Sequence, residues 1–142
     1  MGCFSLEVRP LKYLFDTHTW IWWNLSPEKL SSKVRRIILN DMGYEELLLS
    51  AISPWEFCKL LEKNRLAVAS DPLAWIEQAL DMPKLRLVPL TPRISHQSTT
   101  LPDFPYDDPA DQIIAATARE ENAILLTKDA GLLHYSHTKT LW

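Results

Sequence analysis

Four acidic residues lie next to short apolar segments, at points where strands should end or helices should begin. They are Asp16, Glu56, Asp111 and Asp129. In an α/β fold such positions meet at the carboxyl edge of the sheet, where ligands bind. Four carboxylates held close together repel one another unless a cation lies among them. Because Mg²⁺ and Mn²⁺ prefer oxygen ligands, the pattern predicts a divalent metal site, with phosphodiester chemistry as its use.

Helix capping is the alternative role for part of this set. Ser53 and Glu56 have the spacing of a capping box, in which the Glu56 side chain would accept a hydrogen bond from the Ser53 amide. Asp108 precedes a proline at a predicted helix start, so it can cap that helix. Asp111 would then lie in the first turn, where the helix dipole favours a negative charge.

Asp16 and Asp129 are harder to explain as structural residues. Each ends an apolar strand, and neither precedes a helix that clearly needs it as a cap. A role in a turn is the alternative for each. The joint pattern is stronger than any one residue, because four acids from four separate segments fall at the same predicted edge of the sheet.

Other chemistries fit the chain less well. His134 and His137 are close in sequence, but no further ligand of the zinc type lies near them. The segment 16–19 has one acid where an aspartyl-phosphate phosphatase needs two. No Gly-x-Ser-x-Gly elbow is present, and 3 Gly are too few for a glycine-rich nucleotide cradle. The two cysteines, Cys3 and Cys58, form no metal or redox pattern and fit a reducing cytoplasm.

Length and charge narrow the class of protein. A chain of 142 residues is one domain on length alone. No apolar run approaches the roughly 20 residues of a membrane span, so we expect no membrane association and a cytoplasmic location. The net charge of −3 argues against a bulk electrostatic grip on nucleic acid. Two clusters of basic residues form either solvated helix faces or a local groove for a nucleic acid backbone: Lys33, Arg35 and Arg36, then Lys59, Lys63 and Arg65.

Apolar segments alternate with helical patterns along the whole chain. Strands are predicted at 12–15, 47–51, 85–90, 123–127 and 139–142. Helices are predicted to begin at Thr17, Ser26-Pro27, Ser53, Asp71-Pro72, Thr91-Pro92 and Asp108-Pro109, with a short helix or turn at 129–133. In the helix after Asp71, we expect Leu73, Ile76 and Leu80 to face inward. The alternation predicts an α/β fold with a mostly parallel central sheet and helices on both faces.

Tryptophan is frequent for a chain of this size. Trp20, Trp22 and Trp23 cannot all face one core. With Trp55 and Trp75 they predict an aromatic surface that contacts another protein.

Four motifs, in this order along the chain, resemble the PIN-domain nucleases and, within them, the VapC-type toxins of prokaryotic toxin–antitoxin pairs. They are Tyr-Leu-Phe-Asp-Thr-His-Thr-Trp at 13–20, Ser-Ala-Ile-Ser-Pro-Trp-Glu at 50–56, Asp-Pro-Ala-Asp-Gln-Ile-Ile-Ala-Ala-Thr-Ala at 108–118 and Leu-Leu-Thr-Lys-Asp at 125–129. The resemblance implies a PIN-like fold over residues 12–142, preceded by an N-terminal extension at 1–11.

The resemblance also implies roles for individual residues. It assigns metal binding and catalysis, with Mg²⁺ or Mn²⁺ as the cofactor, to Asp16, Glu56, Asp111 and Asp129. Asp108 matches an additional acid of this subgroup, and Thr127 matches a small polar residue that supports the site. Relatives often carry Arg where this chain has Gln112. Such proteins are metal-dependent endoribonucleases that act on RNA, are often homodimers, and are inhibited by a cognate antitoxin whose tail enters the active-site groove.

Two other functions remain open at this stage. One is a non-catalytic module whose acidic pocket binds the basic tail of a protein partner. The other is a phosphatase acting on small phosphoesters, which the missing second early acid makes the weaker alternative. Metal-dependent cleavage of RNA by the pure protein would distinguish the nuclease from both.

Overall fold

The computed structural model describes residues 11–39, 43–44 and 46–142. The strands are β1 Lys12–Phe15, β2 Glu46–Ser50, β3 Leu85–Val88, β4 Ile124–Leu126 and β5 Thr140–Leu141. The helices are α1 Thr17–Leu25, α2 Ser32–Ile38, α3 Ile52–Glu62, α4 Pro72–Leu80, α5 Pro92–Ser98, α6 Pro109–Glu121 and α7 Ala130–Leu133, with a 3₁₀ turn at Pro27–Lys29. The predicted extension at 1–11 lies, except for Leu11, outside the described residues. No described helix has the length and apolar character needed to cross a membrane.

All five strands form one parallel sheet with the order β3-β2-β1-β4-β5. The predicted parallel α/β fold is therefore confirmed, and the strand ends differ from the predicted ones by at most two residues. β1 is the central strand and pairs with β2 on one side and β4 on the other. Because the strands are parallel, the segments that follow β1, β2 and β4 all leave from the same edge of the sheet.

The sheet separates two apolar clusters. Tyr13 and Phe15 of β1 point into a cluster formed with α1, α2, α3 and α4. Leu14 points to the opposite face, into a cluster formed with α5, α6 and α7. This alternation follows from the pleat of a strand, and it places helices on both faces as predicted. Leu47–Leu49 of β2 are fully buried, as expected for a strand covered on both faces.

Helix caps begin and end three helices where the sequence predicts them. The Asp71 carboxylate accepts a hydrogen bond from the Ala74 amide at 3.0 Å at the start of α4. Thr91 Oγ1 accepts one from the Ile94 amide at 3.2 Å at the start of α5. Asn122 ends α6 in the left-handed conformation, with φ 53°.

The predicted helix start at Ser26-Pro27 is wrong in position. Pro27 begins only the 3₁₀ turn, and Ser26 makes no side-chain capping hydrogen bond. α2 begins after Ser31, whose Oγ accepts a hydrogen bond from the Val34 amide at 3.1 Å. Leu30 separates the two segments in an extended conformation, with φ −82° and ψ 147°. Its side chain is buried in the core, and this burial interrupts the helix that the local signals favour.

The inward face of α4 is only partly as predicted. Leu73 is 64% exposed, so its assignment to the core is wrong. Ile76 and Leu80 pack partly buried against the α1–α4 cluster, and Ala79 is the buried residue of the helix. At 100° per residue, Leu73 lies about 120° around the helix axis from Ala79, which carries it away from the sheet.

The predicted aromatic surface is also only partly correct. Trp20 is fully buried, and Trp75 stacks on Phe57 with their ring centroids 4.2 Å apart. Trp55, in contrast, is 54% exposed on α3. Trp22 is half-buried, with its ring edge-on to that of Trp142. The tryptophans are therefore divided between core and surface and do not form one patch.

Candidate active site

A cavity of about 590 Å³ opens at the carboxyl edge of the sheet, beside the end of β1. Five acidic side chains line it: Asp16, Glu56, Asp108, Asp111 and Asp129. The structure thus brings together the acids that the sequence predicts to converge. Their roles in metal binding and catalysis remain predictions.

Asp16 directly follows β1 and is held by two hydrogen bonds. Its Oδ1 accepts from the Thr17 amide at 2.9 Å, and its Oδ2 accepts from the Thr127 hydroxyl at 2.7 Å. Thr127 is fully buried after β4, the strand next to β1. Burial of the Asp16 carboxylate raises its pKa, and the Thr127 hydrogen bond partly opposes that effect. Thr127 therefore fixes the orientation of Asp16, a supporting position that fits the role the resemblance gives it.

Glu56 points into the cavity from the middle of α3. The Thr17 hydroxyl donates a short hydrogen bond to Glu56 Oε1. The Oγ of Ser53 lies 2.8 Å from Thr17 Oγ1. Because the single hydroxyl proton of Thr17 goes to Glu56, Ser53 is the donor in that second contact. Burial raises the pKa of Glu56, and the nearby Asp16 and Asp108 charges raise it further.

The capping-box alternative for Glu56 is wrong. α3 begins at Ile52, so Ser53 lies inside the helix and not at its N-cap. The residue at the cap position, Ala51, has no side chain that could accept a hydrogen bond. The buried chain from Ser53 through Thr17 to Glu56 is what positions this acid. Sequence reasoning missed Thr17 and Ser53, since 36 positions separate them and no local pattern connects them.

Asp108 and Asp111 come from the start of α6. Asp108 Oδ1 accepts hydrogen bonds from the Ala110 amide at 2.8 Å and the Asp111 amide at 3.2 Å, so Asp108 caps the helix while also lining the cavity. Asp111 lies in the first turn. Burial, followed by the charges of Asp108, Asp16 and Glu56, raises the pKa of Asp111 to about 7. Burial is thus the main cause of this shift, and repulsion from the other acids adds to it.

Asp129 is held from two directions. Its Oδ2 accepts hydrogen bonds from the Leu132 amide at 2.9 Å and from the Tyr106 hydroxyl at 2.5 Å. The first bond caps α7, and Asp16 likewise occupies the N-cap position of α1. The expectation that neither acid precedes a helix in need of a cap is therefore wrong. Helices as short as α7 leave too few residues for a periodic pattern, which is why the sequence did not reveal the cap.

Tyr106 is a site residue that sequence reasoning missed. It lies in the loop before α6 and reaches Asp129 across 23 positions of sequence. Gly131 makes this approach possible, because a Cβ atom there would lie 2.5 Å from Tyr106 Cζ. The sequence did offer one signal for this contact: Gly131 lies two residues after the candidate ligand Asp129. A glycine allows another group to approach the backbone closely.

Replacing Gly131 with Ala should displace Tyr106 from Asp129. The added methyl group occupies the space of the tyrosine ring, so we expect a loss of about 1 kcal/mol or more in the free energy of unfolding. In a Tyr106→Ala background the same change should be neutral or slightly stabilising, because alanine favours the helix. Thermal denaturation of the four proteins measures this non-additivity. If Gly131→Ala changed the free energy of unfolding equally in both backgrounds, the Tyr106 ring would not be what restricts the size of the side chain at position 131.

Four acids elsewhere in the described residues have cationic partners: Glu46, Glu62, Glu120 and Glu121. Arg86 Nε lies 2.9 Å from Glu46 Oε2, and Arg86 Nη2 lies 2.7 Å from Glu121 Oε1, at the opposite edge of the sheet. Within the described ranges, no ion pair includes any of the five cavity acids. The cavity thus concentrates negative charge, and although Lys128 also lines it, none of the five acids forms an ion pair in the described ranges.

The donor chemistry of the cavity fits a hard divalent cation, since the acids offer only oxygen ligands. As the side chains stand, no group of three or more His, Cys, Asp or Glu in the described residues is arranged to hold a metal ion. Glu56 is turned to Thr17 and Asp129 to Tyr106, as expected for like charges that satisfy nearby donors. Three or more ligands would have to move closer together around an ion.

Comparisons with known proteins agree with this architecture. The PIN domain family model matches residues 13–137. Ribonuclease VapC22 of Mycobacterium tuberculosis (strain ATCC 25618 / H37Rv) is 34% identical over 131 residues, which cover 91% of this chain and 97% of that protein.

Two solved structures share the fold at low sequence identity. VapBC2 from Rickettsia felis, bound to a DNA fragment from their promoter, has a TM-score of 0.68 and 14% identity, covering 92% of this chain and 98% of that one. A toxin-antitoxin complex from Klebsiella pneumoniae has a TM-score of 0.61 and 14% identity. The match covers 92% of this chain and 96% of that one. With four acids at the carboxyl edge of a parallel sheet and a family match over most of its length, the chain belongs to the PIN domain family.

Proposed function

We propose that this chain is an endoribonuclease that depends on Mg²⁺ or Mn²⁺ and is the toxin of a cytoplasmic toxin–antitoxin pair. The observation that carries the proposal is the convergence of four acids that form no ion pair in the described residues, from four separate segments, in one cavity: Asp16, Glu56, Asp111 and Asp129. The name of the 34% identical relative, a ribonuclease, supports RNA as the substrate. No observation favours the alternative of a non-catalytic module.

The four acids would hold one or two ions. A bound divalent ion supplies charge stabilisation at the scissile phosphate and an activated water. Thr127 and Thr17 hold the Asp16 and Glu56 carboxylates at the cavity before an ion arrives, and ion binding would then draw these carboxylates closer together. Asp111, whose pKa is raised to about 7, would exchange its proton for the cation, so ion binding releases protons near neutral pH.

Cleavage of a labelled single-stranded RNA by the pure protein tests the proposal. We expect shorter products with millimolar Mg²⁺ or Mn²⁺ and none with EDTA. An Asp16→Asn protein purified in parallel controls for contaminating nuclease. RNA that stays intact with every metal would refute the activity and would leave the basic tail of a protein partner as the ligand of the acidic cavity.

Replacing Glu56 with Gln should lower the rate of RNA cleavage by about tenfold or more, because a neutral amide is a weaker ligand for a divalent ion than a carboxylate. Gln can still accept the hydrogen bond from Thr17, so we expect the melting temperature to stay the same or rise. Single-turnover cleavage and thermal denaturation measure the two effects. Glu62→Gln is the matched control, because Glu62 lies on the same helix with its side chain 64% exposed and paired to Lys59. Full activity in Glu56→Gln would remove this residue from the site.

We also propose that the protein is a homodimer and binds an antitoxin. Leu39, Leu73 and Trp55 are large apolar residues that are 62%, 64% and 54% exposed, which is consistent with contacts to other chains. The complexes from Rickettsia felis and Klebsiella pneumoniae support a partner of this class.

Light scattering should give the mass of a dimer at tens of micromolar, because apolar side chains exposed in one protomer are covered when two associate. Coexpression with the product of a small neighbouring reading frame should yield a complex without nuclease activity. A monomer at all concentrations would contradict the dimer. A neighbour that neither binds nor inhibits would contradict the toxin assignment and leave a free-standing nuclease.

A further inference from the structure

A second groove, of about 400 Å³, adjoins the acidic cavity. It runs between α1 and the end of α3, and its charged lining residues are Lys29 and Arg65. His18 and Trp22 line both the groove and the acidic cavity, so the two spaces share a wall. No acidic residue is among the residues that line the groove in the described part of the chain.

Trp22 is the centre of this shared wall. The Nζ atoms of Lys29 and Lys128 lie 5.8 and 5.9 Å from the centroid of its indole ring. The ring centroid of His18 lies 5.7 Å away, tilted by 53°. The ring centroid of Trp142 lies 6.1 Å away, with the two ring planes 67° apart. Two ammonium groups thus lie within 6 Å of the centre of the Trp22 ring, on the wall that the groove and the acidic cavity share.

We propose that this groove binds an unpaired nucleotide next to the scissile bond, with its base stacked on Trp22 and its phosphates contacted by Lys29, Lys128 and Arg65. The inference rests on the proposed ribonuclease function and adds that the RNA substrate is unpaired next to the bond that is cut. Aromatic side chains bind bases of any sequence by stacking, and a basic groove beside them follows the backbone.

The charges of the two spaces favour RNA over a protein segment as the occupant. A phosphodiester strand must approach five acids in a protein of net charge −3, so it needs cations close to the cavity. Lys29, Lys128 and Arg65 supply three such cations on the side where Trp22 lies. An apolar helix of a partner protein would use the leucines of the groove but would leave these charges without a partner.

The same geometry implies a single-stranded substrate. A base can stack on a protein side chain only when it is unstacked from its own helix, as in loops and single strands. We therefore expect double-stranded RNA to be a poor ligand for this groove.

Fluorescence anisotropy with a labelled single-stranded RNA of 12 nucleotides tests the groove. The Asp111→Asn protein in Mg²⁺ serves as the background, so that the RNA remains uncut. Trp22→Leu keeps an apolar side chain but removes the ring, and should weaken binding by about tenfold or more. Trp22→Phe should recover most of the affinity, and Trp55→Leu is the matched control.

Trp55 suits this control because it is also a tryptophan beside a lysine, with Lys59 Nζ 5.8 Å from its ring centroid, but it lies outside both spaces. Trp55→Leu should change the affinity less than twofold. Equal losses in both leucine variants, or no loss in Trp22→Leu, would overturn the inference.

Single abasic riboses placed in turn along the same RNA give a second test. At one position, loss of the base should weaken binding of the RNA to the Asp111→Asn protein by about tenfold. The same loss should hardly change the affinity of the protein that also carries Trp22→Leu. Abasic sites with the same effect on both proteins would show that no base stacks on Trp22. If Trp22→Leu keeps its RNA affinity but no longer binds a coexpressed partner, the groove is a protein-docking surface and the inference is wrong.

The cleavage assay with wild-type protein separates this inference from the proposed function. If the wild-type protein cuts RNA and the Trp22→Leu variant binds RNA with normal affinity, the inference about the groove is wrong and the proposed function stands. If RNA binding depends on Trp22 but the wild-type protein never cuts RNA, the result supports RNA binding in the groove and refutes the proposed nuclease activity.

Discussion

Replacing Asp111 with Asn should lower metal-dependent RNA cleavage by about 10²–10⁴-fold and should leave the metal-free protein at least as stable as wild type. Loss of a charged ligand weakens the hold on the ion and removes several kcal/mol of transition-state stabilisation. Loss of the same charge removes the cost of burying it and, in second place, the repulsion from Asp108, Asp16 and Glu56, the causes that raise the pKa of Asp111.

The gain in stability should depend on pH in a defined direction. The pKa of Asp111 rises from 3.8 to about 7 on folding, so the folded state favours the protonated form. The stability from this group is complete below its unfolded pKa and is lost as the pH rises through about 7. Asp111→Asn should therefore stabilise the protein at pH 8 by on the order of 1 kcal/mol, after allowance for solvent screening, and hardly at pH 4.

Thermal denaturation in EDTA at the two pH values, together with single-turnover cleavage, measures both effects. Asp107→Asn is the matched control, since Asp107 is an exposed acid in the preceding loop that does not line the cavity. A variant that cuts RNA at the wild-type rate, or that melts well below wild type at pH 8, would contradict the assignment of Asp111.

Adding Mg²⁺ or Mn²⁺ to the apo protein should raise its melting temperature, and EDTA should reverse the rise. Ligands that bind only the folded state stabilise it by mass action, by about 2.7 kcal/mol at 100 times the dissociation constant. For a domain of this size that corresponds to roughly 5–10 °C. The acids of the cavity provide the reason, because they lie close together and none of them forms an ion pair among the described residues.

Differential scanning calorimetry across a metal titration measures this stabilisation. NaCl at matched ionic strength controls for simple screening, and the Asp111→Asn protein should gain less than wild type. A melting temperature that is flat up to saturating concentrations, or one that rises equally in Asp111→Asn, would argue that no ion binds among these acids.

The sequence revealed the parts of this fold that are encoded locally. Asp108 before a proline and Asn122 at the other end set the limits of α6 within a few adjacent residues. The apolar segments around Leu14, Leu48 and Leu125 identified three strands. The helices predicted between these segments indicated that the strands run parallel to one another. Once the strands were known, the convergence of the acids followed from topology.

The parts that the sequence did not reveal depend on contacts between distant segments. Ser26 and Ser31 carry similar start signals, and only the burial of Leu30 decides between them. Tyr106 reaches Asp129 from a loop without periodic structure. Thr17 reads locally as an ordinary first residue of a helix, although it links Ser53 to Glu56 inside the core.

Under the proposed function, the pairing of β1 with β4 determines when during synthesis the active site becomes complete. Asp16 and the Thr127 hydroxyl that holds it are 111 positions apart in sequence. At about 5–20 residues per second, a ribosome needs about 6–22 s to add the residues between them. During that interval the growing chain lacks β4, Thr127 and Asp129, so under the proposed function it would not yet cleave the ribosomal and messenger RNA that surrounds it. The proposed activity can begin only after β4, near the end of the chain, docks against the first strand, and this delay would give an antitoxin made at the same time an interval in which to accumulate.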